Sequence, residues 1–199
     1  EVVDNKIALL ADAGLSASII DVDAFALHNA FERSYPDEQR GLVALINVGN
    51  ETTNVNLLHD GVPVLVRDLP FGSRRLREAL QRERGLSAEE ADDMIQGRSQ
   101  AAELRSFVAD RVDELALGVE RAAAFLTSGG AEIGRVFLSG GGARVTGLAD
   151  ALGERLRVRT EIANPLQRIA VQPEVMQSVD IDEIAPMLML PIGLALRQP

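Results

Sequence analysis

At 199 residues, with 46% hydrophobic and 25% charged side chains, the chain is long enough to bury a core and too apolar to stay disordered on composition alone. Its 20 basic and 30 acidic side chains give a formal net charge of -10, which argues against nucleic acid as a partner and against an unassisted contact with an anionic bilayer. It has no cysteine, which removes disulfides, thiolate chemistry and cysteine-ligated zinc; no apolar run reaches the roughly 20 residues of a spanning helix, so no direct membrane insertion is expected.

Val2, Val3, Ile7, Leu10 and Ala11 fall at helical spacing, and Gly14 is placed to end that helix in the left-handed conformation. "ASIIDVD" then predicts a short buried strand, and "AFALHNAFERS" a second helix that Pro36 stops. Leu42 to Val48 is a nearly unbroken apolar run, the pattern of a strand buried on both faces and central to a sheet. "NVNLLHDGVPVLVRDL" holds two strands joined at Asp60-Gly61, a dipeptide that favours a tight hairpin, so three strands form a meander. After Gly72 the β signal vanishes, and Ser73 to Ser128 reads as a helical insert. Within it, Phe107, Val108, Val112, Leu115, Val119, Ala122, Phe125 and Leu126 mark one face of a long helix. "RVFLS" resumes the sheet, Thr146 to Leu156 is a helix, "VRTEIA" a further strand and Leu188 to Arg197 a final apolar helix. Pro165, Pro173, Pro186 and Pro191 segment the tail, and the opening directly in a helix at Glu1 suggests a fragment of something longer.

The stretch that carries chemistry is "RVFLSGGGARVTGLADALGERL". Glycine serves where the chain needs positive φ or where a ligand must approach backbone, so the stretch is either a bare strand-to-helix turn or a nucleotide cradle. The dinucleotide fingerprint laid on Gly140 and Gly142 fails at Val145, and the Walker pattern on Gly142 and Gly147 fails at Leu148, where lysine belongs. A second polar turn, "NVGNETTN", ends the buried strand and could bind an anion, or serve only as a turn. His28 and His59 have no acidic ligand pattern near them. Arg74, Arg75, Arg77, Arg82 and Arg84 could grip phosphate, but Glu78 and Glu83 among them favour a solvated helix face. Ser87 with Glu90 three residues on forms a capping box, which explains that glutamate without a ligand. No Ser, His and acid spacing supplies a nucleophile.

In the order strand, polar hairpin, helical insert, apolar strand, three glycines and helix, the chain resembles the second half of the actin-like ATPase fold. Within that fold it is similar to the PilM family of type IV pilus assembly, itself related to the cell-division protein FtsA. "LINVGNETTNVNLL", "VFLSGGGARVTGLADAL", "ANPLQRIAV" and "EIAPMLMLPIGLALR" carry the resemblance. It implies an α/β, ribonuclease H-like fold with a mixed sheet, helices on both faces and a helical subdomain. Residues 1–39 would be the end of the first lobe and the crossing helix, 40–72 and 133–199 subdomain IIA, and 73–132 subdomain IIB.

The resemblance also implies ATP and Mg²⁺ as cofactors. Gly49, Asn50 and Thr52 fall on the second phosphate loop, with Gly72 beside it. Gly140, Gly141 and Gly142 would let adenine and the α-phosphate lie against backbone, with Arg144 and Val145 lining the base. Two charges depart from the family pattern. Asn47 stands where aspartate faces water on the metal, which leaves only a weak, water-mediated metal contact. Glu90 matches the glutamate of the A-E-x-x-K pattern, but Asp93 stands where its lysine would be. Nucleotide binding is thus expected to be weak, with hydrolysis not expected. The implied role is a cytoplasmic scaffold peripheral to the inner membrane, docking the PilN tail and other platform proteins, with self-association possible. The alternative is a catalytic, filament-forming ATPase of the FtsA kind.

Overall fold

The computed structural model describes residues 1–99, 101–127, 130–172, 174 and 180–197. Five strands, β1 (Leu42–Val48), β2 (Thr53–His59), β3 (Val62–Leu69), β4 (Ile133–Ser139) and β5 (Arg159–Ile162), form one sheet in the order β3-β2-β1-β4-β5. The β1–β2 and β2–β3 pairs are antiparallel, whereas β1–β4 and β4–β5 are parallel. The meander follows from the Asp60-Gly61 turn, whose φ angles of 49° and 79° match the twist of a two-residue hairpin. β1 is central, and its apolar run packs on both faces, as an unbroken run requires.

On one face Leu42, Ala44, Ile46 and Val48 join a single apolar cluster with the helical stretch, α3 (Ser73–Arg84), α4 (Ala88–Ile95), α5 (Ala101–Ala109) and α6 (Val112–Thr127), and with α7 (Leu148–Leu156). On the other face Val43, Leu45, Leu58 and Phe137 meet α2 (Asp23–Ser34) and the last helix. That second core is built around three rings, Phe31, Tyr35 and Phe137, with centroids 4.8 to 5.4 Å apart. The Tyr35 hydroxyl accepts the Asn164 N–H at 2.7 Å, tying the segment after β5 to α2, and burial pushes its pKa up.

Four expectations need correction. "ASIIDVD" is not a strand: no strand of the sheet pairs with it, and Ile19, Ile20 and Val22 are 37%, 58% and 55% exposed. The helix before it, α1 (Val2–Asp12), buries no residue at all. The long helix through residues 107–126 is two helices. The Arg111 N–H bonds Val108 O, three residues back, which tightens the turn, and the guanidinium lies 3.6 Å over the Phe107 ring. Phe125 falls outside the packed stripe and is 82% exposed. Lastly, α7 starts at Leu148 rather than Thr146, because Gly147 takes φ 86° at its N-cap. The tail condenses as α8 (Ile181–Ile184), a 3-10 turn (Ala185–Leu188) and α9 (Met189–Ala195). Ser128 and Pro173 lie outside the described residues.

Candidate functional site

The adjacent parallel strands β1 and β4 send the chain in opposite directions at their carboxyl ends, to β2 on one side and to β5 on the other. A divergence of that kind opens a crevice where ligands of α/β sheets lie. Two loops frame it here: the Gly49 to Thr52 turn after β1, and the 3-10 turn Gly141–Arg144 after β4.

Across the strand ends runs an in-register row of polar side chains. Asn54 Nδ2 donates to Asp68 Oδ1 at 2.6 Å, Asn47 Nδ2 donates to Asn54 Oδ1 at 3.3 Å, and Ser139 Oγ donates to Asn47 Oδ1 at 3.1 Å. The row links four strands and uses both ends of the Asn47 amide. An aspartate at 47 could still accept from Ser139 but would take away the donor that Asn54 Oδ1 uses. Asn47 therefore fits a structural strut better than a metal-water holder. Among the described residues no group of three His, Asp or Glu side chains could hold a metal.

The chain's own backbone explains most of the glycines. A Cβ on Gly140, at φ 83°, would lie 2.5 Å from Val48 O and 2.8 Å from Asn47 Oδ1, and one on Gly142 2.3 Å from Val48 Cγ1. What comes so close to this loop is the end of β1. Added Cβ atoms on Gly49 and Gly72 would likewise meet Thr52 O and Asn50 O, at 2.7 and 2.3 Å. Gly141 differs, since its nearest neighbour would be Met187 Sδ at 3.9 Å.

Gly141, Arg144 and Val145 line a recess of about 170 Å³ together with Ser73, Arg77, Asp92, Ile95 and Gln96. The recess carries an internal ion pair, Arg77 Nη1 to Asp92 Oδ1 at 3.1 Å, and Arg144 is paired with Glu183 of α8. Its apolar and guanidinium walls suit a planar group, so a nucleobase fits here better than a metal fits at Asn47. In the first loop, Gly49 O and Asn50 O accept from the Ser73 and Arg74 N–H groups at 3.0 and 2.9 Å, so the opening donors of α3 are spent on the turn. Thr52 is exposed, and its carbonyl closes the turn on Gly49 N–H at 3.0 Å.

Glu90 stays out of the recess. Its Oε2 accepts the Ser87 N–H at 2.8 Å while Ser87 Oγ accepts the Glu90 N–H at 3.2 Å, the reciprocal capping box. Those hydrogen bonds hold its carboxyl below the ordinary value near 4.5. The contribution is therefore complete above that value and is lost as pH falls through the lowered one. Ser87→Ala, which keeps the backbone N–H that Glu90 accepts, is expected to lower unfolding free energy by about 1 kcal/mol in urea melts. Glu90→Ala is expected to destabilise at neutral pH and to lose that difference in acid; an unchanged gap in acid would remove the Glu90 half of the box. Asp93 also turns away, to Arg98 at 2.7 Å. The acid in the recess is its neighbour Asp92, about 100° round the helix. Sequence reasoning missed Asp92 and its partner Arg77, the latter because α3 reads as a solvated face. For Arg74, Arg75 and Arg84 that reading holds, since each pairs with an acid.

The family description "Type IV pilus assembly protein PilM" matches residues 1–199. Among solved structures, a chain of a PilM-PilN type IV pilus biogenesis complex is 28% identical with a TM-score of 0.84, covering 99% of this chain and 58% of that one. Ta0583, an archaeal actin homolog, is 16% identical with a TM-score of 0.57, over 92% of this chain and 57% of that one. MreB5 of Spiroplasma citri bound to AMPPNP is 13% identical with a TM-score of 0.61, over 98% and 64%. The fold is actin-like. The chain thus spans less than two thirds of the length of each of these relatives.

Proposed function

The chain belongs to the PilM family of type IV pilus assembly proteins, and from that premise we propose that it is the carboxy-terminal lobe of an actin-like scaffold on the cytoplasmic side of the pilus platform. In this reading the complete protein docks the cytoplasmic tail of PilN and holds other platform components in place. The likeness to the PilM-PilN complex over 99% of the chain is the observation that carries it. Residues 40–72 and 133–199 act as subdomain IIA, 73–132 as IIB, and 1–39 as the end of the first lobe with the crossing helix.

The nucleotide site is the crevice at β1 and β4, with Gly141, Arg144 and Val145 beside the base and Gly49, Asn50 and Thr52 beside the phosphates. Binding there is weak, because Asn47 is neutral and tied to its neighbours on both sides. A scaffold does not need nucleotide turnover. We therefore expect the full-length protein to bind the PilN tail with the same affinity in Mg-ATP as in nucleotide-free buffer after apyrase treatment. A shift above about fivefold, the lower end of allosteric coupling, would select the nucleotide-switched, filament-forming alternative instead.

A further inference from the structure

The recess beside Gly141 and the strand-end loops next to it differ in what they can hold. Ile95 and Val145, both buried, give the recess apolar walls, and Gly141 adds no side chain to narrow it. Arg144 is ion-paired with Glu183, yet a guanidinium bonded at its edge still offers a flat face on which a ring can stack. Gln96 and Ser73, which also line the recess, bring an amide and a hydroxyl, donors and acceptors that the edge of a heterocycle can use and a plain aromatic side chain cannot. The loops offer a phosphate chain much less. The Gly49 N–H is bonded to Thr52 O at 3.0 Å and the Gly140 N–H to Pro186 O at 2.8 Å, while the Ser73 and Arg74 N–H groups are taken by Gly49 O and Asn50 O. Arg74 is shared between Glu51 and Glu78, at 3.4 and 3.1 Å, Arg77 is held by Asp92, and Arg144 by Glu183. Asp68, at the end of the polar row, is met by the neutral Asn54 amide, which leaves its charge in place. Three guanidiniums therefore stand against five carboxylates, and a triphosphate would enter a field of its own sign.

On the reading that this crevice is the nucleotide site, we propose that its ligand is an uncharged nucleoside held by its base in the recess, rather than a nucleotide held by its phosphates. The base stacks on Arg144 between Ile95 and Val145, with Gln96 and Ser73 at its edge. Phosphates add repulsion instead of affinity, so binding weakens as they are added. It also needs no Mg²⁺, in keeping with an Asn47 amide that is committed to Asn54 and Ser139.

Saturation-transfer difference NMR titrations of adenosine, AMP and ATP into the full-length protein, in Mg²⁺ and in EDTA, test this. Adenosine is expected to bind at least about fivefold more tightly than ATP, as the partly screened repulsion of added phosphates implies, and equally well in both buffers. Gln96→Ala, at an exposed position, is expected to weaken adenosine about fivefold, the worth of one neutral hydrogen bond. Gly141→Leu, which puts a side chain at the recess, is expected to abolish it. Mg-ATP bound by the wild type no more weakly than adenosine would overturn the proposal while keeping the crevice a nucleotide site. Adenosine binding that neither substitution weakens would overturn it by placing the ligand elsewhere. No binding of adenosine would overturn it as well, and would take the nucleotide reading with it if Asn47→Asp also failed to bind Mg-ATP.

Discussion

Gly193→Ala is expected to destabilise the protein by about 3 kcal/mol or more in urea melts, the upper range for overpacking a tight core. The added Cβ would sit 1.7 Å from the Ala26 carbonyl oxygen and 2.4 Å from its carbon, inside van der Waals contact with rigid helical backbone. No side chain can rotate out of the way, so α2 and α9 must separate. Separation would reach the second core: Ala26 and Ala30 of α2 are fully buried, and Phe31 on the same helix carries the ring cluster with Tyr35 and Phe137. Gly141→Ala supplies the control. Its Cβ meets nothing closer than 3.9 Å, so a change of less than about 0.5 kcal/mol is expected, the usual range for a surface substitution. Equal losses at the two positions would show that α2 and α9 do not cross this closely.

The second large effect concerns the nucleotide. Asn47→Asp places a carboxylate at the end of β1, beside the Gly49 to Thr52 turn, where hydrated Mg²⁺ could be met by a charged oxygen rather than a neutral amide. The same change removes the donor that Asn54 Oδ1 now receives at 3.3 Å. One neutral hydrogen bond is worth about 1 kcal/mol, so the variant is expected to lose roughly that much stability while gaining at least about tenfold in Mg-ATP affinity, as an added ion contact of about 1.4 kcal/mol would give. The gain must depend on Mg²⁺, because without the metal the new carboxylate only repels phosphate. A gain that persisted in EDTA would need another cause.

Much of this was legible in the sequence because it rests on local rules. The apolar run of β1, the Asp60-Gly61 hairpin and the Ser87 capping box each follow from short-range sterics and hydrogen bonding, and each is where those rules put it. The errors arose where a residue's fate depends on distant chain. "ASIIDVD" has the composition of a strand but no sheet edge to join. Phe125 follows Ala122 by three residues, but it sits about 100° round the same helix from Leu126, off the face that packs on the sheet. At the site, sequence shows three adjacent glycines as equals; only the register of β1 against β4 reveals that Gly140 and Gly142 make way for Val48 while Gly141 faces the recess. Asp92 and Asp93 look interchangeable until the helix is turned, and then one faces Arg77 and the other Arg98.

The most direct test of the proposed weak nucleotide site is calorimetric titration of Mg-ATP into the full-length protein and its Asn47→Asp variant. No saturable binding by the wild type is expected below about 1 mM, equivalent to about -4 kcal/mol, whereas the variant is expected to bind measurably in a Mg²⁺-dependent way. Micromolar binding by the wild type, with Asn47 in place, would contradict it.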